Sequence, residues 1–458
     1  MSKKIQLIFI ILGMLIMLVP FAGMIFRPTE ETTENRRLAE FPAFSKKDGG
    51  LNTDFPEQFE DWFQDHFAFR NELAAADGHI QGTVFGVSSV DSVIHGTDGW
   101  LYYSSTLPDY LGTGRMNERE LFNLKQNLSI VKDYVEKKGA KLVFTVPPNK
   151  NTLYGSHMPY YSGTASDQPH TMEELPELCE EIGITYADLL SAFKEQGEVL
   201  YLERDSHWNG KGAMLAYRTI MDAAEQPYDS YEDVEVARRK DDDGDLNRMV
   251  YSYYGEKEWN YYYNIEGTYE TDAKDVEAAW IPTSAAGKEG KLLMFRDSFG
   301  NTLLPLVAGQ FGEAVFTRES PYRLEKTVEE QKPDVVIIEK VERNLRDLIS
   351  EPPIISAPAA EDTFSVSSEP LKEDELKLSF SKNMYDGTFY TLSGELPEDK
   401  IRTETEILLE VDGKMVHAYQ TGATGFKAYL RTDEAEIRVI LKDGDEGVCV
   451  LETTVRAE

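Results

Sequence analysis

Two segments of the sequence carry the residue types that acyl-transfer chemistry requires. One contains Asp205 and His207, and the other places Ser298 where a strand-like run, KLLMF, meets a helix-like run. A serine at such a turn exposes its hydroxyl group at the carboxyl edge of a sheet, where backbone N–H groups can stabilise an oxyanion. Imidazole is the usual base for a serine near neutral pH, and a carboxylate fixes its tautomer. We therefore predict Ser298 as nucleophile, His207 as base and Asp205 as the residue that orients His207.

The same spacing also fits two ordinary loops, because Asn209 can cap the helix that follows the histidine segment. Seven further residues near these loops are candidates for oxyanion or substrate contacts: Arg343, Asn344, Asn301, Arg296, Trp208, Lys150 and Tyr154. Each has a structural alternative. Arg343 could bind the oxyanion, an acidic sugar or a surface carboxylate. The asparagines could cap helices, Trp208 could pack the loop against the core, and Lys150 with Tyr154 could contact the substrate after strand KLVFTV.

Strand-like and helix-like runs alternate along most of the chain. From Asn117 a helical pattern leads to the strand KLVFTV, and residues 291–350 repeat strand, helix, strand, helix, strand, helix. Such alternation is typical of βαβ units and a parallel sheet, with chemistry in the loops at the carboxyl ends of the strands. The sequence therefore predicts an α/β domain with a parallel sheet and flanking helices.

The amino-terminal segment indicates an extracellular location. Residues 5–26 contain no charge, follow Lys3 and Lys4, and precede Arg27. A helix of this length can cross a hydrocarbon core of about 30 Å. We predict a signal anchor in the lipid bilayer, with residues 1–29 as cytoplasmic tip and membrane span and the remainder outside the cell. A cleaved signal peptide is the alternative, and the scarcity of cysteine suits a Gram-positive surface.

The remaining organisation follows from changes in composition. We assign residues 30–350 to the catalytic domain, with an insertion at about 226–290, and residues 351–370 to a linker rich in Pro, Ser and Ala. Residues 371–458 alternate apolar and polar positions around Asp-Gly turns, which predicts a small β-sandwich-like accessory domain.

The insertion contains an acidic run, Asp241 to Asp245, and an aromatic run, Tyr251 to Tyr263. The acidic run resembles a calcium ligand set without the EF-hand spacing, so a solvated loop is the alternative. The aromatic run could form a saccharide platform or a half-buried hairpin.

Composition and charge exclude several classes of function. The 47 basic and 81 acidic residues give a net charge of −34, which argues against nucleic-acid binding. Two cysteines cannot form a disulfide framework or a cysteine-based metal site. The histidines lack metal-ligand spacing and no nucleotide-binding motif occurs, so we predict no metal and no cofactor.

The segment DSHWNGKGA, residues 205–213, resembles the D-H-H-W signature of the DHHW family, whose second position varies. Its D-x-H element is also similar to that of periplasmic alginate O-acetylation proteins, which are relatives of SGNH hydrolases. Further segments resemble the DHHW family in order along the chain: Glu34-Asn35-Arg36, Asp65-His66-Phe67, Gly96 to Leu101, Pro147-Pro148, Gly244-Asp245-Leu246, Asp297 to Asn301 and Glu342 to Leu345. They cover most of residues 30–350.

This resemblance implies an SGNH-like fold and transfer of acetyl groups onto hydroxyls of an extracellular polysaccharide through an acetyl-serine intermediate. In such systems a membrane-bound O-acyltransferase exports the acyl group, and it is therefore a candidate partner. Two alternatives remain open: a polysaccharide acetyl esterase with the same three residues, and a non-catalytic glycan-binding scaffold of a polysaccharide export complex.

Overall fold

The computed structural model describes residues 3–24, 26, 38–46, 49–158, 161, 163–164, 170–265, 267–360, 363–372 and 375–457. The α-helices are α1 (Lys3–Gly23), α2 (Phe55–His66), α3 (Arg70–Ile80), α4 (Leu107–Leu111), α5 (Glu118–Lys137), α6 (Lys150–Tyr154), α7 (Thr171–Glu181), α8 (Leu189–Lys194), α9 (Gly210–Ala224), α10 (Asp245–Tyr251), α11 (Gly300–Ala308), α12 (Leu324–Gln331) and α13 (Asp347–Ser350). Short 3-10 helices span Ser104–Thr106, Gly155–His157, Ser252–Tyr254, Glu342–Asn344 and Glu398–Lys400, and a π-helical turn spans Gln81–Phe85.

The strands are β1 (Val93–His95), β2 (Leu101–Tyr103), β3 (Lys141–Thr145), β4 (Thr185–Ala187), β5 (Val236–Asp242), β6 (Glu258–Tyr263), β7 (Trp280–Ser284), β8 (Lys291–Phe295), β9 (Glu313–Thr317), β10 (Val335–Glu339), β11 (Ser365–Ser368), β12 (Lys377–Lys382), β13 (Tyr390–Glu395), β14 (Glu406–Val411), β15 (Lys414–His417), β16 (Tyr419–Thr421), β17 (Gly425–Leu430), β18 (Glu434–Asp443) and β19 (Glu446–Arg456).

A six-stranded sheet forms the centre of the predicted catalytic domain, in the order β4-β3-β10-β8-β9-β7. Its first five strands are parallel, as the βαβ pattern predicts, and β7 pairs antiparallel with β9 at one edge. The central strands are nearly continuous apolar runs, because helices cover both faces of the sheet. The predicted α/β class with a parallel sheet and flanking helices is therefore confirmed, with an antiparallel edge strand in addition.

Two hydrophobic clusters lie on the two faces of this sheet. One includes Leu124, Leu128 and Val131 from α5, and the other includes Tyr217 and Ile220 from α9. Spacings of three, four and seven residues put such side chains on one helix face, which explains why these helices pack where they do.

The amino-terminal helix α1 is long and apolar enough to cross a membrane, with a mean hydropathy of 2.6 over its best window. Arg27, which follows the predicted span, lies outside the described residues, as does the Glu34-Asn35-Arg36 motif. Helices α2 and α3 follow α1 along the chain.

The carboxy-terminal region is all-β, as predicted, and consists of a five-stranded and a four-stranded sheet. Most of its strand pairs are antiparallel, and β11 pairs parallel with β19. The two sheets bury a common apolar core that includes Leu392, Leu409, Phe426 and Val439. This core is the hallmark of sheet-on-sheet packing.

The segment predicted as a linker differs from that expectation. Ile354 and Ile355 are fully buried in the cluster on one face of the catalytic sheet, and Tyr429 from the β region joins the same cluster. Asn127 and Gln420 also exchange hydrogen bonds between the two regions, at 3.0 and 2.9 Å. Composition indicated a linker, but apolar residues among the prolines are buried against both regions and join them.

The interpretation of residues 226–290 as an insertion also needs correction at its carboxyl end, because Trp280–Ser284 is the edge strand of the central sheet. Strands β5 and β6 form an antiparallel hairpin that contains much of the aromatic run. Gly244 follows the acidic part of this hairpin, and Asp245 begins α10, which returns the chain to the loop that contains His207.

Candidate active site

The serine lies at the carboxyl end of a central strand. Strand β8 ends at Phe295 and α11 begins at Gly300, so Ser298 occupies the tight turn between them. A Cβ atom at Gly300 would lie 2.7 Å from the Arg296 side chain and 3.1 Å from Oε2 of Glu339. Glycine therefore permits the close approach that this turn requires.

Three side chains form one hydrogen-bonded row at this edge of the sheet. Oγ of Ser298 lies 2.8 Å from Nε2 of His207, and Nδ1 of His207 lies 2.7 Å from Oδ1 of Asp205. With the ring proton on Nδ1, the serine hydroxyl donates to Nε2 and the imidazole donates to the carboxylate. This geometry allows His207 to take the serine proton and Asp205 to stabilise the resulting imidazolium.

The spacing of two residues between Asp205 and His207 produces this geometry locally. Oδ1 of Asp205 also accepts the backbone N–H of His207, at 2.8 Å, in an Asx turn. Burial alone would raise the pKa of Asp205, but the charge of His207 and three N–H donors outweigh it and hold that pKa well below its usual range. Burial likewise opposes the charged form of His207, yet the Asp205 carboxylate raises the pKa of His207 above its ordinary value.

A second carboxylate, Asp245, supports the same imidazole. Its backbone N–H donates to Oδ2 of Asp205 at 2.7 Å, and its own Oδ2 lies 3.7 Å from Nδ1 of His207. Ser206 donates to Asp245 through its backbone N–H, at 2.7 Å, and through its hydroxyl group, at 2.5 Å. Burial and then the negative charge of Asp205 raise the pKa of Asp245. The sequence analysis placed Asp245 in the acidic run and in a family motif but not beside His207, because no spacing rule connects α10 to the histidine loop.

The turn that contains the serine is fixed from below by Asp297. Its Oδ1 accepts the N–H of Phe299 at 2.9 Å, and its Oδ2 accepts the N–H of Val341 at 2.8 Å, which ties the end of β8 to the end of β10. The backbone N–H of Asp297 donates to Glu339 at 2.9 Å. Burial and the Asp297 carboxylate raise the pKa of Glu339 well above its ordinary value.

An open cleft of about 1090 Å³ surrounds the row. Six of the predicted site residues line it: Ser298, His207, Asp205, Trp208, Asn301 and Arg343. The guanidinium carbon of Arg343 lies 5.6 Å from the ring centres of both Phe299 and Tyr103. No ion pair to Arg343 occurs within the part of the chain that the structure describes. Arg343 therefore offers the cleft a cation that stacks on aromatic rings and has no carboxylate partner there.

Trp208 holds the histidine loop against the core while its edge reaches the cleft. Its side chain is almost fully buried, its ring packs edge-on against Phe299, and its Nε1–H donates to Thr302 at 2.5 Å. The packing role that sequence analysis gave as the alternative is thus the one that the contacts describe. Asn209 caps α9, since its side chain accepts the N–H groups of Lys211 and Gly212.

The other candidates near the serine are engaged with protein groups. Arg296 is buried and donates to Asn301, to the carbonyl of Asp297 and to that of Val276, and burial lowers the pKa of Arg296 to about 10. Asn301 donates in turn to Glu277. Arg296 and Asn344 do not line the cleft. Arg296 therefore stabilises the turn rather than reaching a substrate.

Lys150 and Tyr154 differ from the expectation of substrate contact. Lys150 is 4% exposed and points at the backbone of the histidine loop, and the Tyr154 hydroxyl accepts the N–H of Leu200 at 2.9 Å. Both follow the carboxyl end of β3, as expected, but the segment from Leu200 to His207 covers them. Strand-end position predicted their neighbourhood correctly, and burial by the loop could not be read from the sequence.

Potential metal-ligand atoms of Asp205, His207 and Asp245 lie within 4.8 Å of one another. Both ring nitrogens of His207 are nevertheless engaged, Nδ1 with Asp205 and Nε2 with Ser298. A cation at this point would have to displace one of these hydrogen bonds, so the arrangement fits a proton-transfer row better than a metal centre.

The α/β domain that carries this row at the carboxyl edge of its sheet resembles the SGNH hydrolase-like domains. Comparison with known proteins agrees: residues 93–285 match the family described as "SGNH hydrolase-like domain, acetyltransferase AlgX". The chain is 34% identical over 131 residues to "Probable alginate O-acetylase AlgJ" of Pseudomonas syringae pv. tomato. The aligned residues make up 28% of this chain and 32% of that protein. The predicted resemblance to alginate O-acetyltransferase-type, SGNH-like proteins is therefore confirmed.

Two solved structures are similar in part. A DHHW family protein from Eubacterium siraeum has 15% identity and a TM-score of 0.40, over 49% of this chain and 85% of that chain. The O-acetyltransferase domain of Pseudomonas putida AlgJ has 15% identity and a TM-score of 0.38, over 56% and 92%. The chain matches about a third of the length of the curated AlgJ relative.

Proposed function

We propose that this protein is a serine O-acetyltransferase that acts on hydroxyl groups of an extracellular polysaccharide. One observation carries the proposal: the hydrogen-bonded row Ser298, His207, Asp205 lies on the wall of an open cleft large enough for several sugar units. The similarity to the AlgX-type domain and to an alginate O-acetylase supports acetyl transfer to a polysaccharide.

In the first half-reaction Oγ of Ser298 attacks the carbonyl carbon of an acetyl ester donor. Nε2 of His207 takes the hydroxyl proton as the bond forms and returns it to the leaving group of the donor. Asp205 remains ionised, because the pKa of its carboxyl group lies well below neutral pH, and stabilises the imidazolium. The product is acetyl-Ser298.

In the second half-reaction a sugar hydroxyl enters the cleft and attacks the acetyl-serine ester. His207 takes the proton of the sugar hydroxyl and then returns it to Oγ of Ser298, which restores the resting state. Water in place of the sugar would complete the same cycle as an esterase. The balance between the two depends on how well the cleft binds an acceptor.

Arg343 is the proposed electrostatic partner of the negative charge in these steps. Its guanidinium group stacks between Tyr103 and Phe299 on the wall of the cleft. In that position it can stabilise an oxyanion or an acidic sugar. Replacement of Arg343 by Met should lower kcat/KM for acetyl transfer about 100-fold to 1000-fold, the range for loss of one oxyanion donor.

We further propose that α1 anchors the protein in the cell membrane, with the catalytic and β regions outside the cell. A 20-residue apolar helix near the amino terminus supports this arrangement. A membrane-bound O-acyltransferase that exports acetyl groups would be a suitable partner, because a domain outside the cell needs acyl groups delivered across the bilayer.

Mass spectrometry of the detergent-solubilised full chain tests the function. The protein is incubated with a chromogenic acetyl ester and a panel of oligosaccharides, and acetyl groups are located on protein and sugars. We expect a transient adduct on Ser298 and acetylated sugar, both lost in Ser298→Ala and His207→Ala. Ser89→Ala is the matched control, because Ser89 also lines the cleft but makes no contact with His207.

Other outcomes identify the alternatives. Ester cleavage that depends on Ser298 but yields only free acetate, with every acceptor tried, indicates an esterase. A folded wild-type protein that forms no adduct and cleaves no ester overturns the enzyme proposal and favours the glycan-binding scaffold.

A further inference from the structure

We propose that Lys150 and Glu258 are positioning residues that clamp the backbone of residues 202–206 and thereby set His207 against Ser298. The inference rests on the proposed function, because the clamp acts on the reaction through His207 and Asp205. Neither Lys150 nor Glu258 lines the cleft, so neither is a catalytic residue.

Lys150 donates hydrogen bonds to three carbonyl groups of the loop. Its Nζ donates to the carbonyl oxygens of Leu202 at 3.1 Å, Glu203 at 2.9 Å and Asp205 at 2.6 Å. A lysine ammonium has three N–H donors, and all three are used on one short stretch of backbone. The ammonium group therefore fixes the peptide group that carries the Asp205 side chain.

Glu258 holds the amide groups of the same stretch from the other side. Its Oε2 accepts the N–H of Glu203 at 2.7 Å, and its Oε1 accepts the N–H of Arg204 at 3.0 Å. Glu258 begins β6, so the hairpin of β5 and β6 is what brings this carboxylate to the loop. The two side chains come from distant segments and bind complementary halves of the same peptide groups.

The charges of the clamp compensate each other and those of the site. Burial lowers the pKa of Lys150 to about 8, while the negative groups that face it, Asp205, Glu258, Asp245 and Glu203, favour its ammonium form. Lys150 thus remains mainly charged near pH 7, and the aromatic rings of Trp100 and Tyr102 cover it at 5.6 and 5.2 Å.

The pKa of Glu258 depends on burial and on the same neighbouring groups. Burial raises the pKa of Glu258 to about 7, the N–H donors of Arg204 and Glu203 and the charge of Lys150 favour its ionised form, and Asp205 disfavours it. In the described chain, the buried ammonium group of Lys150 and the half-buried carboxylate of Glu258 form hydrogen bonds only with backbone groups of this loop, so holding the loop accounts for their presence.

Two variants test the clamp by kinetics in the full-length protein. Lys150→Met removes three donors, and Glu258→Gln keeps the shape but replaces one acceptor oxygen by an NH₂ group. Because a displacement of His207 by about 1 Å costs on the order of 100-fold, we expect kcat for a small acetyl ester to fall about 10-fold to 100-fold. KM should stay within about twofold, since neither residue contacts the cleft. Lys257→Met and Glu235→Gln are matched controls, because both residues are exposed, lie next to the strands of the same hairpin and make no side-chain hydrogen bond to residues 202–206; both variants should retain the wild-type kcat.

A proton resonance provides a second readout that needs no turnover. The Nδ1–H of His207, held at 2.7 Å by Asp205, should give a downfield signal that disappears in His207→Ala. We expect this signal to shift or broaden in Glu258→Gln and to remain in both controls. If Lys150→Met does not fold, Glu258→Gln decides the question alone.

Wild-type kcat together with an unchanged resonance in folded Glu258→Gln would overturn the clamp. An unchanged kcat with a raised KM in both variants would overturn it as well, since that pattern indicates lost substrate binding. An inactive wild-type chain overturns the proposed function instead, and the resonance then decides the clamp by itself.

Discussion

Replacement of Asp205 by Asn removes one charge from the row and changes little in size. Oδ1 of Asp205 accepts two N–H groups of His207, at 2.8 and 2.7 Å, whereas Oδ2 accepts only the N–H of Asp245, at 2.7 Å. An asparagine that turns its oxygen toward His207 keeps two of these three bonds. The imidazole tautomer therefore survives in Asp205→Asn, and the loss falls on charge and on the N–H of Asp245.

The distances set the size of the effect. At an effective dielectric constant of about 20, unit charges attract by about 6 kcal/mol at the 2.7 Å that separates His207 from Asp205, and by about 4.5 kcal/mol at the 3.7 Å to Asp245. Desolvation offsets part of these gross attractions. Loss of Asp205 also removes one cause of the raised pKa of Asp245, whose remaining carboxylate can then stabilise the imidazolium. We expect kcat to fall about 100-fold to 1000-fold, or about 3 to 4 kcal/mol.

The pH dependence should change in a defined direction. In the wild-type protein, burial opposes the imidazolium but Asp205 raises the pKa of His207, so kcat/KM should rise with pH through a value above the ordinary one of 6.5. In Asp205→Asn, burial still lowers the pKa of His207, and Asp245 is the main group left to raise it. The acid limb should therefore move to lower pH while the plateau rate falls.

Initial rates of acetyl-ester cleavage and of Ser298 acetylation, measured across the range from acid to mildly alkaline pH, check both effects. Asp91→Asn is the control, because Asp91 also lines the cleft but makes no contact with His207. The double variant Asp205→Asn with Asp245→Asn should lose about a further 10-fold, the part that Asp245 supplies. A single variant with wild-type kcat, or an acid limb that moves to higher pH, would refute the reasoning.

Three further predictions concern stability. Trp208→Phe keeps the ring contact but removes the hydrogen bond to Thr302, and denaturant unfolding should show a loss of about 1 kcal/mol. Asn127→Ala leaves the carbonyls of Leu348 and Gln420 and the N–H of Gln420 without a partner at the buried seam, which should cost about 3 to 5 kcal/mol. Because the same seam contains shared core residues, calorimetry of the detergent-solubilised wild-type protein should show the predicted catalytic domain and the β region unfolding together, and separate transitions would contradict this.

The sheet could be predicted because its strands obey local rules. Lys141–Thr145 and Val335–Glu339 are short apolar runs between amphipathic helices, which only a sheet covered on both faces accommodates. The antiparallel strand Trp280–Ser284 was missed, because its partner Glu313–Thr317 follows it across another strand and a helix, and no sequence period reports such pairing. The prolines of residues 351–370 suggested a tether, but Ile354 and Ile355 show that two buried side chains outweigh composition.

Part of the site could also be predicted, because some of its residues directly follow strands of the sheet. Ser298 and Arg343 follow neighbouring parallel strands, so their proximity follows from strand order once the sheet is known. Asp245 and Glu258 reach the site from α10 and β6 through tertiary packing of the hairpin. No sequence spacing predicts their contacts with the histidine loop. Lys150 was placed near the site for the right topological reason and given the wrong contact, since burial depends on the path of residues 200–207.

The Asp205-x-His207 element sets its own internal geometry, independently of the rest of the fold. One oxygen of Asp205 accepts both the backbone N–H and the ring N–H of His207, so the two-residue spacing fixes the carboxylate and the imidazole relative to each other. What the element cannot specify is its own position relative to Ser298, which belongs to another strand. Lys150 and Glu258 restrict the position of the element relative to Ser298. They bind the peptide groups of the loop and do not hydrogen-bond to the side chains of Asp205 and His207. A chain that contains only the motif therefore specifies the base and its orienter, and the surrounding fold is needed to turn them into a site.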